Sequence, residues 1–269
     1  MMREPERGAG AQRVHREEQG NVFPQARQAA PGAPCTWLRR GAEDFRELLP
    51  ASLFYGVVFA LMGFLLERFF EARAVELALV TGFLLVGPFL AVGLHDLSRR
   101  RHLKEPLRLL PTLTAWRANA PAIGFYALIL ALLLAVWIRV SVVVVALFFA
   151  SDLPSEEGVL AQLAGSAEGW MFMAAYAAVG LGFALLVFAT SVVSIPMLLD
   201  RPSMDTLTAM IASFAALRCN LRAMVLWAVA IVALTVLGFL TYKLGLVLVV
   251  PLIGHATWHV YRDCVAPQP

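Results

Sequence analysis

Long apolar runs alternate with short polar breaks along this chain. Gly169 to Leu199 and Ala223 to Tyr242 carry no charged residue. A helix needs roughly 20 apolar residues to cross a bilayer. The pattern therefore predicts an all-α membrane protein with six spans, at about 50–66, 75–94, 120–138, 170–195, 222–242 and 244–261. Between the first two spans, Glu67, Arg68, Glu71, Arg73 and Glu76 alternate in sign. Such neighbours pair at three- and four-residue spacing, which predicts a tight helix hairpin.

The third span continues past its polar break. Arg139 interrupts an apolar stretch that resumes at Val140 and runs to Ala150. A helix of that whole length exceeds the hydrocarbon core at 1.5 Å per residue. Either it projects beyond the membrane, or 140–150 lies in the interface. Arg139 sits near the outer end, where its guanidinium can snorkel to water.

Polar positions predict the rest. Residues 1–34 are rich in Arg, Gln, Ala, Gly and Pro and read as a disordered cytoplasmic tail. Residues 35–265 form the six-helix domain, and 266–269 a C-terminal tail. The first long apolar run begins near Ala51, too late for a cleavable signal peptide, and none is expected. The 203–221 segment predicts an in-plane helix capped by Ser203, with Asp205 in its first turn. Its apolar face is Leu207, Met210, Ile211, Phe214, Leu217 and Leu221. The segment from Leu107 to Ala118 reads the same way.

Charge sets orientation. Of the 22 Lys and Arg, eighteen fall on one side of a six-span chain. The 151–169 loop, on the other side, carries four carboxylates and no base. The positive-inside rule places both termini in the cytoplasm, here of a bacterial inner membrane. With 59% apolar and only 15% charged residues, and a net charge of +3, the chain is no bulk nucleic-acid binder. Arg99, Arg100, Arg101, Lys104, Arg117, Arg218 and Arg222 are candidates for contact with anionic phospholipid or with other membrane subunits. The alternative is topology signalling alone. Cys35, Cys219 and Cys264 form no C-x-x-C pair and predict free thiols.

The even-numbered spans share a device. Pro88, Pro196 and Pro251 lie in their cytoplasmic halves and predict bends. An Asp and an Arg follow each: Asp96 with Arg99, Asp200 with Arg201, Asp263 with Arg262. Thr112-Leu113-Thr114-Ala115 with Arg117-Ala118-Asn119 echoes Thr206-Leu207-Thr208-Ala209 with Arg218-Cys219-Asn220. Three related helix hairpins are expected.

Chemistry rests on the histidines. His255 and His259 lie four apart, on one helix face, and His95 ends the second span at a similar depth. A copper, zinc or haem iron is one reading of this trio. The other is structural: His255, His259, Trp258 and Tyr261 anchor a helix end with polar tips in water, and Arg262 and Asp263 pair locally or cap neighbouring backbone. No Walker loop and no G-x-S-x-G elbow is present, and no carboxylate lies at mid-membrane depth.

The chain resembles an uncharacterised family of bacterial integral membrane proteins, domain of unknown function 2189. The likeness rests on Trp37 with Asp44, and on Ser52-Leu53-Phe54-Tyr55-Gly56. It continues in Gly87-Pro88, in Leu94 to Arg99, in Pro196 to Arg201, and in the closing Gly254 to Asp263. His95 departs from the family pattern, which has a tyrosine there. Some members carry a cytochrome c oxidase subunit label, which implies a respiratory association. The resulting expectation is a non-enzymatic accessory or scaffold subunit. The alternatives are a haem- or metal-binding redox protein using His255 and His259, and a small-solute transporter.

Overall fold

The computed structural model describes residues 23–69, 87, 91–149, 163 and 165–267. Most of the second predicted span, the hairpin charges from Glu71 on, Pro88 and the first 22 residues lie outside these.

The described chain is helical, with one isolated antiparallel bridge between Ala26 and Val265. Helix α1 (Ala33–Glu47) starts after Gly32, whose φ of 76° is the left-handed conformation that favours glycine. Ala33, Trp37, Gly41 and Asp44 form one buried stripe on α1, so a carboxylate shares the apolar face. Leu48 ends the helix. Pro50 then opens α2 (Leu49–Phe69) at a bend of 104°. Proline is tolerated there because first-turn amides have no helical partner.

Helix α3 (Val92–His102) buries its first seven residues and collects Arg99, Arg100, Arg101 and His102 in its last turn. A short α4 (Leu109–Thr112) and a 3-10 turn (Ala115–Asn119) lead into α5 (Ala120–Phe148). Helix α5 runs unbroken through Arg139, so 140–148 continues the same helix and is not a separate interfacial segment. Ser166 caps α6 (Ala167–Ser191), its Oγ accepting from Gly169 N at 3.0 Å. After a two-residue break, α7 (Ser194–Asp200) carries Pro196.

Helix α8 (Thr206–Cys219) corrects two details. Its cap is Asp205, whose carboxylate accepts from Thr208 N at 2.9 Å, and not Ser203. Its packed face is Thr206, Ala209, Ala212, Ser213 and Ala216, while Leu207, Ile211, Phe214 and Leu221 point outward. Small residues let backbones approach closely, and large apolar ones are free to meet lipid. Helices α9 (Leu221–Leu240) and α10 (Leu246–Cys264) complete the chain, α10 with Pro251 inside.

Outward-facing apolar rows decide the solvent. Val57, Leu61 and Phe64 on α2, Leu128 and Leu132 on α5, and Val229, Val232 and Val236 on α9 are all exposed. Contiguous apolar surface on this scale marks contact with a membrane. Among the described residues, three helical stretches are long and apolar enough to cross one: Ala115–Phe148, Ala167–Asp200 and Leu221–Leu240. The bent α1–α2 pair is a fourth candidate.

The core gathers around α10. Gly41 lets α1 approach Ala256 so closely that a Cβ there would stand 2.8 Å from the Ala256 Cβ. Gly56 does the same for α2, where a Cβ would overlap the Val247 carbonyl. Trp37 and Trp227 meet edge to face at 6.0 Å in the buried cluster that also holds Trp258 and Tyr261. Residues 23–32, inside the predicted tail, lie against the C-terminal strand-like segment. Arg27 N donates to Cys264 O and Ala266 N to Gln25 O.

Asn119 precedes α5 and Asn220 precedes α9, and both are buried. Each carboxamide donates to two backbone carbonyls: Asn119 to Leu198 and Met204, Asn220 to Arg27 and Ala216. The two asparagines hold equivalent helix entries.

Candidate functional site

Asp44 of α1, Ser52 of α2, Ser98 of α3 and His255 of α10 are all at most 1% exposed. They form one hydrogen-bonded chain. Ser98 Oγ donates to Asp44 Oδ2 at 2.5 Å, since a carboxylate only accepts. Ser98 has then spent its single proton, so the 2.7 Å contact with His255 Nδ1 requires that nitrogen to donate. The opposite nitrogen, Nε2, is left to accept from Ser52 Oγ at 2.8 Å. In a neutral His255 the chain therefore selects the Nδ1–H tautomer.

Asp44 is the hub. Its Oδ2 also accepts from His259 Nε2 at 3.0 Å, and its Oδ1 from Arg101. Burial alone would raise its pKa. The hydrogen bonds from His259 and Ser98 outweigh that and hold the carboxyl below its ordinary range. Arg101 forks onto Glu47 as well, one turn along α1. This cluster ties α1, α2 and α3 to α10.

His95 stands apart. Its Nδ1 donates to Gly254 O at 3.0 Å, bracing α3 against α10. The three predicted histidines are therefore brought to one seam, but as spacers with different partners. Among the described residues, no group of three or more His, Cys, Asp or Glu side chains is arranged to hold a metal.

The anchor reading changes too. His255, Trp258 and Tyr261 are packed inside the protein, with no tips in water. Arg262 and Asp263 do not pair locally. Arg262 reaches Asp200 at 3.6 Å, and Asp263 takes Arg40 at 3.2 Å and the Trp37 indole at 3.0 Å. Tyr261 donates to Asp200 at 2.7 Å and receives Arg201 at 3.2 Å. Two of the three predicted Asp–Arg sites thus work between helices. Only Asp96 pairs within its own, at 3.0 Å to Arg99 and 2.7 Å to Arg100.

The basic candidates divide accordingly. Arg99 and Arg100 also face Glu105, and with Arg101 all three are internally paired. Lys104, Arg117, Arg218 and Arg222 are exposed. Arg117 lies 5.5 Å over the Trp116 ring and Arg218 5.8 Å over Phe214. Pro196 and Pro251 are buried in α7 and α10. Cys35 and Cys219 are exposed, Cys264 is buried, and all three thiols are free.

Ser52, Ser98 and Asp44 carry the network, yet sequence reasoning gives none of them a role. The available signal was Asp44 itself, a carboxylate in register with Trp37 and Gly41 on an apolar stripe.

Comparison with known families fits this picture. Residues 76–200 match DUF2189, a predicted integral membrane protein. The match takes in α3 to α7, a little under half of the chain. No curated protein and no solved structure matches the chain.

Proposed function

We propose that this protein is a non-enzymatic accessory or scaffold subunit of the bacterial inner membrane. In this reading it has six spans in three hairpins and both termini in the cytoplasm. One observation carries it: both ring nitrogens of His255 and both oxygens of Asp44 are committed to the protein's own groups. A buried polar cluster satisfied internally rigidifies a core and specifies its packing. The lysine and arginine excess on one side supports the orientation. Lys104, Arg117, Arg218 and Arg222 then remain for anionic phospholipid or a neighbouring subunit.

Co-purification and cross-linking from native membranes test the proposal, with respiratory complexes as the first partners to examine. Reproducible recovery with another membrane subunit supports it. A protein that runs alone and cross-links to nothing refutes it.

A second reading, transport of a proton or small solute, draws on the chain from Ser52 through His255, Ser98 and Asp44 to His259. Hydroxyls and imidazoles in series can relay a proton. Proteoliposome uptake above the empty-vesicle rate would favour it. The haem or metal reading has less support, because both ring nitrogens of His255 are engaged by Ser52 and Ser98.

A further inference from the structure

His259 also borders a cavity whose charge the buried network leaves unused. The cavity holds about 420 Å³ and is lined by Arg27, Arg40, His102, His259, Arg262 and Asp263. Such a volume lies within the range of small-molecule sites. Four segments build it: the chain before α1, α1 itself, the end of α3, and α10. The bridge between Ala26 and Val265 holds the first of these in place.

Three guanidiniums face a single lining carboxylate. Arg40 reaches Asp263 through Nη1 only, and Arg27 Nε is spent on the Asp263 backbone carbonyl at 3.0 Å. Among the described residues, both terminal nitrogens of Arg27, and Nε and Nη2 of Arg40, have no partner. Arg262 Nη2 donates to His102 Nε2 at 3.2 Å. Burial and the nearby Arg262 push the His102 pKa below its ordinary value, as an electropositive setting should.

We propose that this cavity binds a phosphate-type anion, either a soluble phosphate ester or the phosphate of a lipid headgroup. A planar guanidinium offers paired N–H donors that match phosphate oxygens, and several converging forks select that group over chloride. The proposal is independent of the accessory-subunit reading.

The full chain, purified in detergent and delipidated, is titrated with pyrophosphate at constant ionic strength and, separately, with a short-chain phosphatidic acid. Chloride and a short-chain phosphatidylcholine are the controls. Tryptophan fluorescence is the readout, because Trp37 bonds to Asp263 at the cavity. Saturable binding of at least one phosphate probe is expected. It should weaken tenfold or more in Arg27→Gln/Arg40→Gln and stay unchanged in Arg46→Gln/Arg108→Gln, two exposed arginines outside the cavity lining. Binding of pyrophosphate identifies a soluble ligand, and binding of phosphatidic acid alone a lipid. Should the double glutamine variant not fold, Arg27→Lys/Arg40→Lys retains the charge and removes the fork, and it should still bind more weakly than wild type. Failure of both probes to exceed their controls overturns the proposal. So does equal binding by wild type and the cavity variants.

Discussion

Asp44 and His259 face each other across the seam between α1 and α10, carboxylate Oδ2 to imidazole Nε2 at 3.0 Å. The same carboxylate holds Ser98 and Arg101, so three elements depend on it. Asp44→Ala leaves the buried Ser98 hydroxyl without its acceptor and takes from His259 and Arg101 their contact with this carboxylate, though Arg101 keeps Glu47. It should cost about 3 kcal/mol, the upper end of the penalty for an unsatisfied buried group. Ser98→Ala should cost about 1–3 kcal/mol. Thermal unfolding in detergent measures both, and an Asp44→Ala protein that melts with the wild type would contradict the hub.

Acid should loosen this seam. The Asp44 pKa is depressed in the fold from its ordinary value near 3.8. Its stabilisation is therefore complete above that value and lost as pH falls through the folded pKa. His102 is also depressed, from near 6.5, so it too favours the fold above that value and loses its contribution on acidification below it. Both effects act in one direction. Tm measured from pH 8 downward should begin to fall below about pH 6.5 and steepen below about pH 4. His102→Gln should flatten the upper limb and Asp44→Asn the lower. A Tm that rises on acidification would be inconsistent with both assignments.

The two helix-entry asparagines should behave alike. Asn119→Ala removes the side-chain donor from the Leu198 and Met204 carbonyls, and Asn220→Ala removes the donor from Arg27 O and the acceptor from Ala29 N, while Ala216 O keeps the backbone amide of residue 220. Each should cost about 1–3 kcal/mol by the desolvation penalty of unpaired groups. They are far apart in sequence and share no hydrogen-bond partner, so the double variant should show additive losses. The melting temperatures of the two single variants and the double variant test this.

Close approach of α2 to α10 depends on Gly56. A Cβ there would meet the Val247 carbonyl, which is backbone and cannot rotate away. Gly56→Ala should destabilise by about 1–3 kcal/mol, the usual cost of overpacking. Gly124→Ala, where a Cβ meets nothing within 4 Å among the described residues, serves as control and should leave Tm close to wild type.

Membrane character was legible because uncharged runs such as Ala223 to Tyr242 have only one inexpensive solvent, lipid. Helix caps were partly legible: Asp205 was in view, but Ser203 competed for the same role two residues earlier. The seam was not. Ser52, Ser98 and Asp44 are ordinary residues until α1, α3 and α10 converge, and no local pattern encodes that convergence. The helix face of α8 misled for a related reason. Large apolar residues point to the core in water, whereas in lipid the small ones do, as Ala209, Ala212 and Ser213 show.

The central claim is that the buried histidines are internal braces of an accessory membrane protein. The most direct measurement is a visible spectrum with metal analysis on the full chain, purified in mild detergent from native membranes. The account predicts a colourless protein without stoichiometric iron, copper or zinc, and a Tm lowered in His255→Gln. A Soret band, or about one equivalent of metal that disappears in His255→Gln, would contradict it.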